Sequence, residues 1–260
     1  MSARRALFER LIDHAALFPP ASMSMPDAVE ADRAARASGH AWMLDRFIVP
    51  ASRLGELPPE MPRLSVVLDG GEGDLEAVAA TPHEVALVEA RIDPAWIPDT
   101  QALVREKLPG VRAFWELSPG RGLHGAVAAV REAGAGAKIR CGGTTLPSVE
   151  EVAAFIVACR EAGVPFKATA GLHHPIRSGD RHGFLNLLAA AVLADGDAEA
   201  IVGEEDPDAF ALDGDGLAVH GHHADTAAIE AARSELFTAY GSCSFTEPVE
   251  DLMRLRMLPG

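Results

Sequence analysis

"AKIRCGGTTLPSVEEVAAFIVACREAGVPFKATAGL", residues 137–172, contains one complete repeat of the fold. A short apolar run at 137–143 leads into a helical stretch, and a second apolar run follows at 165–172. Between them Val149, Val152, Ala153, Ile156 and Val157 recur at helical spacing, while Glu150, Glu151, Arg160 and Glu161 take the other face. Gly163 follows, where a left-handed residue closes a last helical turn. A strand, a helix and a strand in that order make a crossover unit, whose two strands lie parallel. Each run also holds a lysine. Of the 23 Lys and Arg residues only three are Lys, at positions 107, 138 and 167. An ammonium in a buried strand is costly unless something compensates it.

The same beat recurs outward in both directions. Strands are expected at 11–18, 42–50, 63–70, 84–93, 111–119, 137–143, 165–172 and 216–223, with amphipathic helices between them. Eight strand–helix beats predict an α/β fold, a closed (β/α)8 TIM barrel occupying residues 1–260 as a single domain. A doubly wound open sheet shares the alternation, but no G-x-G-x-x-G turn follows a strand. The tail 239–258 is expected to complete the outer ring of helices.

Composition narrows the function. The chain of 260 residues is 48% hydrophobic and 23% charged, ordinary for a globular core. A net charge of −15 without any Lys/Arg run argues against nucleic acid and anionic membrane surfaces as partners. No apolar run approaches the ~20 residues of a membrane span. Cys141, Cys159 and Cys243 are odd in number and widely spaced, which fits neither a disulfide scaffold nor a zinc ribbon. The N-terminus lacks the unbroken apolar core of a signal peptide. A cytoplasmic protein is expected, with homo-oligomer formation left open.

Strand alternation sorts the side chains. Val88, Ala90, Ala113, Trp115, Leu117, Ile139, Cys141, Phe166 and Ala168 face the helices. Inward go Glu89 and Arg91, then Glu116, then Lys138 and Arg140, then Lys167. Arg46 lies in the second strand, Asp69 closes the third, and His220 and His222 share one face of the expected eighth. Barrel interiors normally fill with aliphatic layers, and function gathers at the C-terminal strand ends. So many inward charges point to a site, the rival being a buried ion lattice without chemistry.

Lys138 and Lys167 fall on neighbouring strands. At some 5 Å apart their repulsion is about 3 kcal/mol at an effective dielectric near 20. That lowers one amine from about 10.4 towards about 8, making it a nucleophile for a carbonyl carbon. Glu89 and Glu116 could then move protons, and Arg91 and Arg140 could hold an anion by their planar forks. Gly142 and Gly143 are expected to leave room for a substrate beside Lys138.

These residues resemble the class I deoxyribose-phosphate aldolase family over 137–172. That family is a (β/α)8 barrel with a Schiff-base Lys on strand six and a second Lys on strand seven. The resemblance implies that Lys138 of "KIRCGG" forms the imine and that Lys167 of "KATAGL" activates it. Arg140 and Cys141 stand where the family has Ser and Thr, Glu89 is a longer counterpart of its strand-four Asp, and "HGHHAD" (220–225) replaces its phosphate turn. More weakly, "VEARID" (88–93) is similar to a substrate-binding strand of type I dehydroquinases, which also use a strand-six Lys. The implied activity is a class I lyase of aldolase type. It would act on a small anionic oxo acid or sugar-like compound, with no cofactor and no metal.

Two alternatives remain from the same sequence. His173, His220 and His222 could chelate a metal for a barrel lyase or isomerase. Otherwise the barrel binds a small acid and catalyses nothing. The loop 173–186 offers Arg177, Arg181 and His182 to an anion. Cys141, facing the helices without a basic partner, is not expected to be a nucleophile.

Overall fold

The computed structural model describes residues 2–71, 73–143 and 146–259. The chain opens with α1 (Ala3–Phe8) and β1 (Ile12–His14), then α2 (Met25–Arg36) and β2 (Leu44–Pro50). Alternation continues through β3 (Leu64–Val67), α3 (Asp74–Ala80), β4 (Val85–Arg91) and α4 (Ile97–Lys107). Next are β5 (Arg112–Glu116), α5 (Leu123–Glu132), β6 (Gly136–Arg140) and α6 (Val149–Ala162). After β7 (Phe166–Thr169) come α7 (Phe184–Val192) and α8 (Ala198–Gly203). Short strands β8 (Phe210–Leu212), β9 (Gly216–Val219) and β10 (His222–Asp225) precede α9 (Thr226–Glu235), β11 (Phe237–Ser242) and α10 (Thr246–Arg254).

Seven successive strands, β1 to β7, and then β11 close into one parallel barrel, with β11 hydrogen-bonded between β7 and β1. The expected TIM barrel is therefore present, but residues 216–223 are not its eighth strand. They belong to a separate antiparallel sheet in the order β10-β9-β8. The reason is local. His220 and Gly221 both take positive φ, 50° and 80°, which makes the tight two-residue turn that folds β9 back on β10. The barrel strand is instead "FTAYGS" at 237–242, within and just before the stretch expected to be outer helix. Its Tyr240, the chain's single tyrosine, is fully buried and stacks on Phe184 of α7 at 4.7 Å.

The outer layer follows the alternation of the strands. Ala113, Trp115, Ile139, Cys141, Phe166 and Ala168 are all buried in one core with the surrounding helices. Phe166 meets Phe155 of α6 edge-on at 5.4 Å. Trp115 brings a polar atom into this layer and satisfies it, donating from Nε1 to Gln101 Oε1 at 3.1 Å. Helix α6 begins with a capping box: Ser148 Oγ accepts from Glu151 N, and Glu151 Oε2 accepts from Ser148 N. Gly163, at φ 64°, ends it. No helix among the described residues is long and apolar enough to cross a membrane.

Gly142 does something other than leave open space. A Cβ there would lie 2.7 Å from Gly171 Cα, so the chains leaving β6 and β7 touch backbone to backbone. Gly142→Ala must push these strand ends apart. The expected cost is about 1–3 kcal/mol in urea unfolding, and an unchanged midpoint would show that the contact is not required.

Candidate active site

Inside the barrel the inward charges are not isolated. Lys138 Nζ lies 3.0 Å from Glu89 Oε2 and 3.0 Å from Glu116 Oε2. Lys167 Nζ donates to Glu89 Oε1 at 2.9 Å and to Asp13 Oδ2 at 2.8 Å. Arg46 Nε donates to Asp13 Oδ1 at 2.7 Å, and Ser65 Oγ donates to Glu89 Oε1 at 2.5 Å. Glu116 Oε1 accepts from Arg140 Nε at 3.3 Å. Strand register explains the assembly: Lys138 is level with Lys167 on one side and with Glu116 on the other.

The expected depression of the nucleophilic amine does not occur at Lys138. Burial alone would push Lys138 down, but the carboxylates of Glu89 and Glu116 outweigh it and its pKa is raised. Burial likewise opposes the ionised forms of Glu89, Glu116 and Asp13. The cations around them win, and all three are held below their ordinary values. Glu89 gives one oxygen to each lysine, so the ammonium groups meet a shared anion rather than each other.

The other sequence candidates are spread out. Arg140, with its side chain half exposed, and Arg91, exposed at the end of β4, stand at the C-terminal mouth. Arg46, expected to bind substrate, is instead a buried strut for Asp13, because it lies early in β2 and its guanidinium is taken up there. Asp69 is exposed and clips a loop, accepting from Ser52 N at 3.0 Å and Ser52 Oγ at 2.7 Å. His220 pairs with Glu204 at 2.5 Å. His222 sits on the β9–β10 hairpin. Both are outside the barrel site expected for them, since their strand is not a barrel strand. The chelating set with His173 is thus not assembled, and among the described residues no group of three or more His, Cys, Asp or Glu is placed to hold a metal.

His173 is at the mouth. A cavity of about 1000 Å3 opens there, at the C-terminal ends of β1, β6, β7 and β11, and His14, Gly143, His173, Arg181 and Cys243 are among its lining residues. Of the anion-loop candidates Arg181 lines this cavity, Arg177 pairs with Glu205, and His182 donates from Nε2 to the Pro147 carbonyl at 2.8 Å. Neither lysine lines it. They lie beneath, upstream on the same strands, and of the two only Lys138 retains any exposure, 4% against 0%.

Asp13 and Ser65 are site residues that the sequence reasoning missed. The signal for Asp13 was available: a carboxylate inside the apolar run "LIDHAALF" needs a cation as much as a buried lysine needs an anion. Ser65 carried no comparable signal.

Comparison with protein-family models gives no match, and comparison with curated proteins gives none. Among solved structures, a protein described as "QR15, an Aldolase" matches 97% of this chain and 99% of its own, with a TM-score of 0.55 and 11% sequence identity. At that identity the likeness is one of fold.

The lattice sets a pH dependence. Asp13, Glu89 and Glu116 have depressed folded pKa values, so their stabilisation is present above their unfolded values and is lost as pH falls through the folded ones. Lys138, raised, contributes below its unfolded value and loses that contribution as pH rises through its folded one. The lattice's own contribution to stability should therefore be flat from about pH 5 to about pH 10 and fall outside that window. Glu89→Gln, leaving two ammonium groups short of an anion, should cost about 3–5 kcal/mol at pH 7. Urea titrations across pH test both, and a Glu89→Gln protein as stable as wild type would mean the lattice contributes no stability.

Proposed function

We propose that this barrel is an aldolase-type lyase in which Lys138 forms a Schiff base with a small anionic oxo compound. One observation carries the reading: Lys138 and Lys167 lie in register inside the barrel and share Glu89, below the mouth where barrel enzymes bind their substrates. Lys138 is the nucleophile because it alone of the pair has an exposed edge. Lys167, fully enclosed by Asp13 and Glu89, holds the site's charge in place.

A resting ammonium does not prevent imine formation; it sets the route. Lys138 gives a proton to Glu116 or Glu89, which are 3.0 Å away, and the free pair on Nζ attacks the carbonyl carbon. The carboxylic acid returns that proton to the carbinolamine, whose oxygen leaves as water, and the carboxylate is regenerated. An ammonium and a carbonyl become an iminium and water, so the positive charge stays where the same two carboxylates already stabilise it. The iminium draws the electron pair of the bond between the α and β carbons to give an enamine, and Glu116, at the mouth side, takes the proton of the β-hydroxyl, which becomes the carbonyl of the released fragment. Arg140 and Arg91, the last residues of β6 and β4, would hold a substrate carboxylate or phosphate.

A second reading has one observation in its favour. Every buried cation of the lattice has a carboxylate partner, as in a barrel that binds small acids and catalyses nothing.

Borohydride reduction in the presence of a panel of aldehydes and oxo acids separates the two. The expected result is a mass adduct on the Lys138 peptide that Lys138→Met abolishes. An adduct on Lys167 reverses the two roles. Absence of any adduct across the panel, with ligand-induced stabilisation retained, establishes the silent barrel. Arg140→Lys should raise KM about tenfold or more and leave kcat near wild type, because the charge is kept and the fork is lost. An unchanged KM would remove Arg140 from substrate binding.

A further inference from the structure

The mouth cavity holds a second set of reactive groups that the lysine chemistry does not use. Cys243 follows β11 directly and lines the cavity, with 8% of its surface exposed. Its Sγ is 3.8 Å from both ring nitrogens of His173, on the loop after β7. His173 Nδ1 is 3.2 Å from Glu247 Oε2, in the first turn of α10. A thiol, an imidazole and a carboxylate are thus in sequence across the wall of one cavity, the order in which a base activates a nucleophile and an acid orients the base. The nine-residue helix α10 begins at Thr246 and adds the positive end of its dipole close to the sulfur.

We propose that Cys243, with His173 as its base and Glu247 as the orienting group, is a second nucleophile that adds reversibly to an aldehyde seated in the mouth cavity. The thiol proton passes to His173. The sulfur pair then bonds to the carbonyl carbon, the C=O π pair moves onto oxygen, and His173 returns the proton there. A thiol and an aldehyde become a hemithioacetal, with nothing oxidised and nothing released. An aldehyde fits because this addition needs only the one proton that His173 holds. The contact with Cys243, with Glu247 assisting, raises the imidazole pKa to about 9 against the opposing effect of burial, so the proton taken from the thiol stays on His173 until the new alkoxide needs it. The remaining titratable groups around the cavity are His14, His40, His174, Asp180, Arg181 and Glu250. Two of these are already paired, His14 with Asp32 and His174 with Asp251.

The chain supplies its own controls. Cys141 and Cys159 are buried, and burial pushes the Cys141 thiol up to about 12 and raises that of Cys159 as well. The test is alkylation of the whole folded protein by iodoacetamide, read peptide by peptide. Cys243 should react first of the three. His173→Gln should cut its alkylation rate at about pH 7 at least tenfold and leave the other two cysteines unchanged. A Cys243 rate in His173→Gln equal to that of the wild type overturns the pairing. The adduct itself is tested with acetaldehyde labelled with 13C at the carbonyl, because a hemithioacetal carbon and an imine carbon resonate far apart. A hemithioacetal signal that Cys243→Ser removes is the expected result. An imine signal alone overturns the thiol proposal and leaves the Lys138 reading standing, while a hemithioacetal without an imine does the reverse.

Discussion

Glu89 is the interaction on which the interior depends. Its two oxygens reach Lys138 at 3.0 Å and Lys167 at 2.9 Å, so one carboxylate makes it tolerable to bury two ammonium groups side by side. Without it, neighbouring strands would set two like charges together in a medium that screens them poorly. Everything else in the lattice extends this bridge. Asp13 takes the other side of Lys167, Arg46 neutralises Asp13, and Glu116 takes the other side of Lys138.

Such an arrangement is an expensive way to fill a barrel. Well-packed aliphatic side chains of similar volume are commonly no less stable than buried ion pairs, and this chain has them in its outer layer. Charge is instead concentrated inside the barrel, in the lattice around Lys138 and Lys167. The interior has two tiers: a neutralised ionic floor, and above it a cavity whose wall carries His173, Arg181 and Cys243. The floor fixes the protonation of Lys138, and the cavity opens above it to solvent.

The first seven strands were legible because a parallel strand buried on both faces reads as a short apolar run, and most were followed by an amphipathic helix, β2 being joined to β3 by a 3-10 segment only. The inward parity of Glu89, Glu116, Lys138 and Lys167 followed from the same alternation. The eighth strand was not legible. "GLAVHGHH" and "FTAYGS" both alternate, and only the turn at His220 and Gly221 shows that the first pairs with its own neighbour. That misplacement carried His220 and His222 into the expected site. The reversal of the Lys138 pKa was hidden for another reason: strand parity gives direction but not distance, and 3 Å contacts to two carboxylates decide the sign.

The late position of the closing strand bears on how the chain can acquire its structure. Strand β1 at Ile12–His14 has β2 on one side and β11 on the other, and Asp13 reaches a lysine 154 residues away in sequence. On a ribosome the ring stays open until Phe237–Ser242 has emerged. Through most of synthesis β1 and β7 are unpaired edges, and the three-stranded sheet lies in the connection that must swing the last strand into the gap. Such distant pairings make for slow folding and prolonged exposure of sticky edges. Closure of this barrel thus waits on its last strand, long after β1 has been made.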